Sequence, residues 1–357
     1  MWRFRTGNGN FYRAVPIESI EEVMRMKRQA AAAFLCGLVL PMVMMALSIR
    51  KAVPPEGEVP PASEQQTEPE PVQTEQAAAT GYDGETELRV LTENGAVETM
   101  QLGEYLVGVV LAEMPADFEP EALMAQSAVA RTYTCKRMLH PKHEGAAVCT
   151  DPDCCQDHSS VEAYLEAGGT EESVEKIRQA VSKTDGMVLT YEGALIDATY
   201  FSCSGGITED AVAVWGRDVP YLQSVESPGE EQAPRYSERV SFRAEDFCKK
   251  IGCSGQGAPA EWFGQMVRTQ GGGVESVEIC GKTYSGLQLR KLLGLRSTAF
   301  TIQAEGDTVT LETKGFGHRV GMSQYGAQAM ALDGSGWQDI LSHYYQGVSI
   351  EAMEKQT

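Results

Sequence analysis

Positive charge is what this chain lacks most. It has 30 Lys and Arg against 50 Asp and Glu, a formal net charge of −20, and so acidic a surface argues against nucleic acid as a partner. The deficit is uneven: residues 1–51 carry eight Lys or Arg and three acids, which leaves the remainder near −25. No internal repeat is visible, which excludes solenoids and propellers. Helical and strand-like segments do not alternate in a βαβ rhythm, which favours an α+β fold of mixed helices and antiparallel strands. A G-x-S-x-G turn is absent, and no base or acid order can be assigned around Ser204, so this serine is a poor candidate nucleophile.

The cationic excess of the first 51 residues frames a run of 20 residues without a charge, Ala30 to Ile49. That run is long enough to span a bilayer. One reading is a cleaved signal peptide, with Ala46-Leu47-Ser48 as the processing site. The 29-residue leader and the length of the run favour an uncleaved anchor instead. Six positive charges in the leader predict a cytoplasmic N-terminus and an extracytoplasmic remainder. Residues 50–86 then alternate prolines (Pro54, Pro55, Pro60, Pro61, Pro69, Pro71) with glutamates, the composition of an extended, solvated linker. The folded domain is expected over residues 87–352.

Its most informative stretch is Leu111-Ala112-Glu113-Met114-Pro115, followed by Pro120-Glu121-Ala122-Leu123 and a run of small residues to Tyr133. Apolar residues 102, 106, 109 and 110 predict a helix over 102–112 that Pro115 stops. Pro120 suits the first position of a second helix running to about Leu139. Glu113 therefore sits at an apolar break, where loss of water raises a carboxyl pKa and makes a candidate acid catalyst. The plainer reading is a helix-terminal acid satisfied by nearby backbone. No second carboxylate has an equal claim. Elsewhere, Asn94-Gly95 predicts a hairpin between strands 87–91 and 97–101. A helix is expected over 171–184, strands over 187–191 and 194–202, a short helix over 287–293 and a strand over 308–312.

Nine cysteines are present, with Cys36 inside the apolar run. His143, Cys149, Cys154 and Cys155 crowd one loop with H-x5-C-x4-C-C spacing. One imidazole and three thiolates suit a closed tetrahedral zinc site, and a metal would order a loop with little apolar content of its own. The alternative is a disulfide, for example Cys149 with Cys155, with Cys135 also near. Cys248 and Cys253 read as a disulfide or as free thiols rather than a second metal site, and Cys280 has no obvious partner.

Two glycine-rich segments complete the set. Tyr200-Phe201-Ser202-Cys203-Ser204-Gly205-Gly206-Ile207-Thr208-Glu209 lets backbone approach a ligand and offers hydroxyls, though a plain turn fits as well. Gly315-Phe316-Gly317-His318-Arg319-Val320-Gly321-Met322-Ser323-Gln324-Tyr325-Gly326 mixes flexible backbone with neutral hydrogen-bonding groups, which suits a sugar. Its alternative is a helix-start loop with Ser323 as N-cap.

Together these segments resemble the stage II sporulation protein D family, membrane-anchored lytic transglycosylases of endospore formers. The resemblance rests on Leu111 to Pro115 with Ala125-Gln126 to Tyr133, Ser202 to Gly206 with Thr208-Glu209 and Val214-Trp215-Gly216, Cys149-Thr150-Asp151 with Cys155-Gln156, and Gly317-His318 to Gly326-Ala327. It implies Glu113 as the single catalytic acid and base. It implies cleavage between N-acetylmuramic acid and N-acetylglucosamine in denuded glycan, leaving 1,6-anhydro ends. It further implies zinc on His143, Cys149, Cys154 and Cys155, as in the clostridial type, although Cys154 stands where close relatives look to have His. Substrate contacts would fall to Arg131, Tyr200, Ser204, Gly205, Gly206, Thr208, Glu209, His318, Ser323, Gln324 and Tyr325. Arg319, in place of what looks like a usual glycine, would add a cation beside the glycan groove. The implied partners are stage II sporulation proteins P and M, at the septal membrane during engulfment. Related domains act instead as amidase enhancers that bind glycan without cutting it.

Overall fold

The computed structural model describes residues 81–353. The expected leader, the anchor over 30–49 and most of the linker lie outside the described residues. No helix among the described residues is long and apolar enough to cross a membrane. The fold starts earlier than the expected Glu87: Tyr82–Glu85 is a short helix whose Asp83 is buried.

The expected hairpin forms, with Glu87–Leu91 antiparallel to Val97–Gln101 in the register Glu87↔Gln101 to Leu91↔Val97. Gly95, at φ +82°, closes its turn. Val148–Cys149 joins the other edge in parallel and so fixes the start of the cysteine loop against the sheet.

Leu102–Glu113 is a helix buried on almost every side, with Leu102, Tyr105, Leu106, Val107, Val109, Val110 and Leu111 all inside. Each such side chain contributes about 1.5–3 kcal/mol by leaving water. Pro120–Leu139 follows, and its Ala122, Ala125, Ala128 and Ala130 allow close approach of its neighbours. Around this helix pair stand the helices Glu171–Lys183, Gln324–Leu332 and Trp337–Tyr344 and a sheet in which Met187–Tyr191 lies between Ser349–Ala352 and Ala194–Leu195. The expected strand over 194–202 is broken: Ala194–Leu195 pairs with Met187–Tyr191, whereas Tyr200–Phe201 turns away to pair with Met322–Ser323.

A second core, not foreseen in the sequence, is built from residues 237–314. Thr308–Lys314 lies between Phe300–Glu305 and Ser237–Arg243, and Val274–Ile279 lies between Phe263–Arg268 and Lys282–Ser285. The helices Ala244–Ile251 and Gly286–Leu293 cover these strands, burying Phe247, Ile251, Val277, Leu289, Phe300 and Leu311. The architecture is α+β throughout. Cys280 also gains partners, against expectation: its Sγ lies 3.4 Å from that of Cys253, which lies 2.8 Å from Cys248.

Candidate functional site

Glu113 is the last residue of its helix. Met114 leaves helical geometry with φ −128° and ψ 143°, and its N–H still bonds to the Val110 carbonyl. Leu111, Met114 and Phe118 are buried around it. Burial raises the Glu113 carboxyl above its usual range, and this outweighs the hydrogen bonds from Tyr200, Asp157 and Gln324 that favour the charged form. The carboxyl opens into a cavity of about 340 Å³ lined by Glu113, Pro115, Ser202, Pro234, Arg235, Gln324 and Tyr325.

Three segments, distant in sequence, meet on this one side chain. The Tyr200 hydroxyl donates to Oε1 at 2.8 Å. The Asp157 backbone N–H, just past the cysteine loop, donates to the same oxygen at 3.1 Å. Gln324 Nε2 reaches Oε2 at 3.5 Å. Behind Tyr200, buried Gln156 donates from Nε2 to the tyrosine oxygen at 3.2 Å and accepts from Thr134 through Oε1 at 3.1 Å.

The two glycine-rich segments are joined backbone to backbone. Met322 pairs with Tyr200 and Ser323 with Phe201 in parallel. A Cβ on Gly321 would stand 2.1 Å from the Thr199 carbonyl oxygen, and one on Gly315 would stand 2.5 Å from that of Ser204. Both glycines also have positive φ, so close approach and backbone shape demand them together.

Glu230 locks the same junction, and nothing in the sequence marks it. Its Oε2 accepts from the Ser204 N–H, the Ser204 hydroxyl and the Gly205 N–H, each at 2.8 Å. Its Oε1 accepts from Ser227 at 2.7 Å and from Ser323. Ser323 is also the N-cap of its helix, accepting from the Gly326 N–H at 3.1 Å.

Several expected substrate contacts are therefore turned inward. Ser204, Thr208, Glu209 and Ser323 are buried. Arg131 is buried away from Glu113, holding Asp83 at 2.6 Å and the carbonyls of Val181 and Met187. Burial raises the Asp83 carboxyl despite this guanidinium. Arg319 does not face the groove: at φ +67° and 1% exposure it pairs with Glu209 and donates to the carbonyls of Ser204, Ile207 and Gly271. The His318 ring packs against Phe201 and exposed Trp215. Burial, with help from Arg290, lowers its pKa to about 4, so it is neutral near pH 7. The cation that does line the cavity is exposed Arg235, set over the Phe316 ring. It lies in a stretch without glycine or histidine markers.

The cysteine loop brings its four ligand-type atoms within 4.8 Å of one another. His143 Nε2 lies 3.5 Å from Cys155 Sγ and 3.7 Å from Cys154 Sγ. Tetrahedral ligands about 2.3 Å from an ion stand roughly 3.5–3.8 Å apart, so the set can hold a metal ion. Burial pushes the Cys155 thiol up, but the His143 ring and other donors outweigh it and bring it down to about 7. Gln156 and Asp157 follow directly, so this loop and the Glu113 support are one continuous segment.

The site is thus a single half-buried acid at a helix end, facing an open cavity and held by the segment that follows a cysteine-histidine loop. Residues 91–191 match the family model described as stage II sporulation protein. The chain is 42% identical over 265 residues to stage II sporulation protein D of Bacillus amyloliquefaciens, covering 72% of this chain and 76% of that one. The Bacillus subtilis counterpart is 42% identical over 265 residues, with 77% of its length covered. The amidase enhancer of Bacillus subtilis is 27% identical over 298 residues, of which this chain spans 40% of the length. The chain belongs to the stage II sporulation protein D family.

Proposed function

We propose that this protein is a peptidoglycan lytic transglycosylase of sporulation, with Glu113 as its only catalytic carboxyl group. The observation that carries this reading is the raised Glu113 pKa at the wall of the 340 Å³ cavity. A raised carboxyl pKa favours the protonated form that a general acid needs. Protonated Glu113 donates to the glycosidic oxygen between N-acetylmuramic acid and N-acetylglucosamine. The C1–O bond breaks, and the N-acetylglucosamine side leaves as a hydroxyl. The Glu113 carboxylate then removes the proton from the muramic 6-hydroxyl, whose oxygen bonds to C1. The acid is regenerated, no water is consumed, and a second carboxylate has nothing to activate, unlike in a two-carboxylate hydrolase. Tyr200, Asp157 and Gln324 hold Glu113 in place, while Ser202, Tyr325 and Arg235 are placed to meet glycan.

In the same reading His143, Cys149, Cys154 and Cys155 hold one zinc, as in the clostridial type. When bound, that ion fixes the loop that delivers Gln156 and Asp157 to Glu113. Residues 30–49 anchor the protein in the cell membrane, with the domain outside, and stage II sporulation proteins P and M share the septal site during engulfment.

The test is to incubate the full chain with denuded glycan strands and identify products by mass spectrometry. The expected products carry 1,6-anhydromuramic ends, and Glu113→Gln lowers their rate at least about 1000-fold while leaving the melting temperature unchanged. Ordinary reducing ends would overturn the mechanism. The likeness to an amidase enhancer supports a second reading, a glycan-binding module. Binding without any new chain ends, with stimulation of an added amidase, would establish that alternative.

A further inference from the structure

Away from Glu113, the thiols of Cys248, Cys253 and Cys280 converge, all within 4.8 Å of one another. They arrive from two elements. Cys248 is in the last turn of the helix Ala244–Ile251, and Cys253 follows the left-handed cap Gly252. Cys280 is in the turn joining Val274–Ile279 to Lys282–Ser285. That turn has two residues, because Ile279 pairs with Lys282. Both have positive φ, 51° at Cys280 and 71° at Gly281. Such a turn strongly prefers Asn or Asp before Gly. Cysteine in that place gains nothing for the turn, but it aims a thiol at the other two.

A disulfide accounts for less of this arrangement than a metal does. The 2.8 Å between Cys253 and Cys248 lies between the roughly 2.0 Å of a bond and the roughly 3.8 Å of two thiolates on one ion, so it favours neither. The third sulfur decides. A bonded pair would leave Cys280 without a use, yet its Sγ stands 3.4 Å from Cys253. We propose that Cys248, Cys253 and Cys280 form a second metal site, taking a thiophilic d10 cation, zinc in the cell, with solvent as the fourth ligand. Three thiolates and one divalent ion carry a net negative charge. The Lys282 ammonium, donating to the Gly252 carbonyl at 3.3 Å, lies beside the site to offset it. The bound ion would tie the end of a helix to the tip of a hairpin across the smaller core, a structural role.

The probe is cadmium, whose thiolate complexes absorb in the ultraviolet, with bound metal counted by mass spectrometry. The chain carrying His143→Ala, Cys149→Ser, Cys154→Ser and Cys155→Ser should still bind about one equivalent after reduction and dialysis. Adding Cys280→Ser should lower that at least tenfold and remove the absorption band. In the otherwise unaltered chain, Cys280→Ser should lower bound zinc from about two equivalents to about one, a comparison that does not require the loop variant to fold. Metal still held by the loop variant after Cys280→Ser, or about two equivalents still held by the otherwise unaltered chain after Cys280→Ser, would overturn the proposal. So would a reduced chain that binds none, or a chain isolated without reductant in which Cys248 and Cys253 are bonded and Cys280 alkylates freely. The count is independent of glycan cleavage, so it stands or falls separately from the enzymatic reading.

Discussion

The protonation of Glu113 is set by a contest between burial and hydrogen bonding, and burial wins. The largest opposing contribution is Tyr200, whose hydroxyl stabilises the charged form at 2.8 Å. Activity that needs the protonated acid must fall as pH rises through this raised pKa. Tyr200→Phe removes a donor to the carboxylate and so raises the pKa further, moving the alkaline limb of the kcat/KM profile to higher pH. A limb that stays put or moves down would show that Glu113 is not the titrating acid. A different outcome is expected at Arg131. Its guanidinium is fully buried against Asp83, and Arg131→Ala should cost about 3–5 kcal/mol in chemical denaturation while leaving the alkaline limb where it is. Glu113 was legible in the sequence because a helix pattern and Pro115 fix its place. Glu230 was not: five donors converge on it only once the chain is folded, and Glu230-Glu231 reads like any exposed acidic pair. Arg319 misled for the same reason, since its partner Glu209 is 110 residues away.

Elements that carry their own stop signals formed as expected. The Asn94-Gly95 hairpin and the Pro120 helix start are local chemistry, readable within a few residues, whereas Ser323 caps its helix, the alternative to the ligand contact expected there. The break in the strand over 194–202 is not local, because Tyr200–Phe201 is taken by Met322–Ser323. Gly108 shows how one element constrains another. It lies inside the helix Leu102–Glu113, where alanine would ordinarily stabilise by about 1 kcal/mol. Here a Cβ would stand 2.3 Å from His158 Nε2 and 2.8 Å from the Ser159 carbonyl oxygen. His158 also stacks on Tyr105, with ring centroids 5.2 Å apart, so it has little room to yield. Gly108→Ala should therefore lower the melting temperature. It should also lower kcat by displacing the segment whose Asp157 N–H holds Glu113. A more stable variant with full activity would show that the His158 segment is free to move and does not position the acid.

At the scale of the whole molecule, the two cores are joined through buried polar groups as well as backbone. Arg319 comes from the segment packed on the first core and donates to Gly271 of the second, besides Ser204 and Ile207. Glu209 accepts from Thr269 at 2.8 Å and from the Gly273 N–H at 2.9 Å, both in the second unit, and from Arg319 at 3.3 Å. This clasp predicts that the cores unfold together. Arg319→Gly separates its two effects. Glycine accepts φ +67° without strain, which returns about 1–3 kcal/mol. Loss of the guanidinium leaves Glu209 buried without its cation, at about 3–5 kcal/mol. The net change is a modest destabilisation, and the informative readout is cooperativity. Calorimetry of the unaltered chain should show one transition over residues 81–353. The variant should show two, with amide exchange accelerating first around Phe247, Leu289 and Leu311. A single transition in the variant would mean that apolar contact alone couples the cores. The same experiment bears on catalysis, because Ser204 and Ile207, held by Arg319, lie in the segment that also supplies Tyr200 to Glu113. Loosening the clasp should therefore raise KM for glycan more than it lowers kcat, since Tyr200 itself stays paired to Met322.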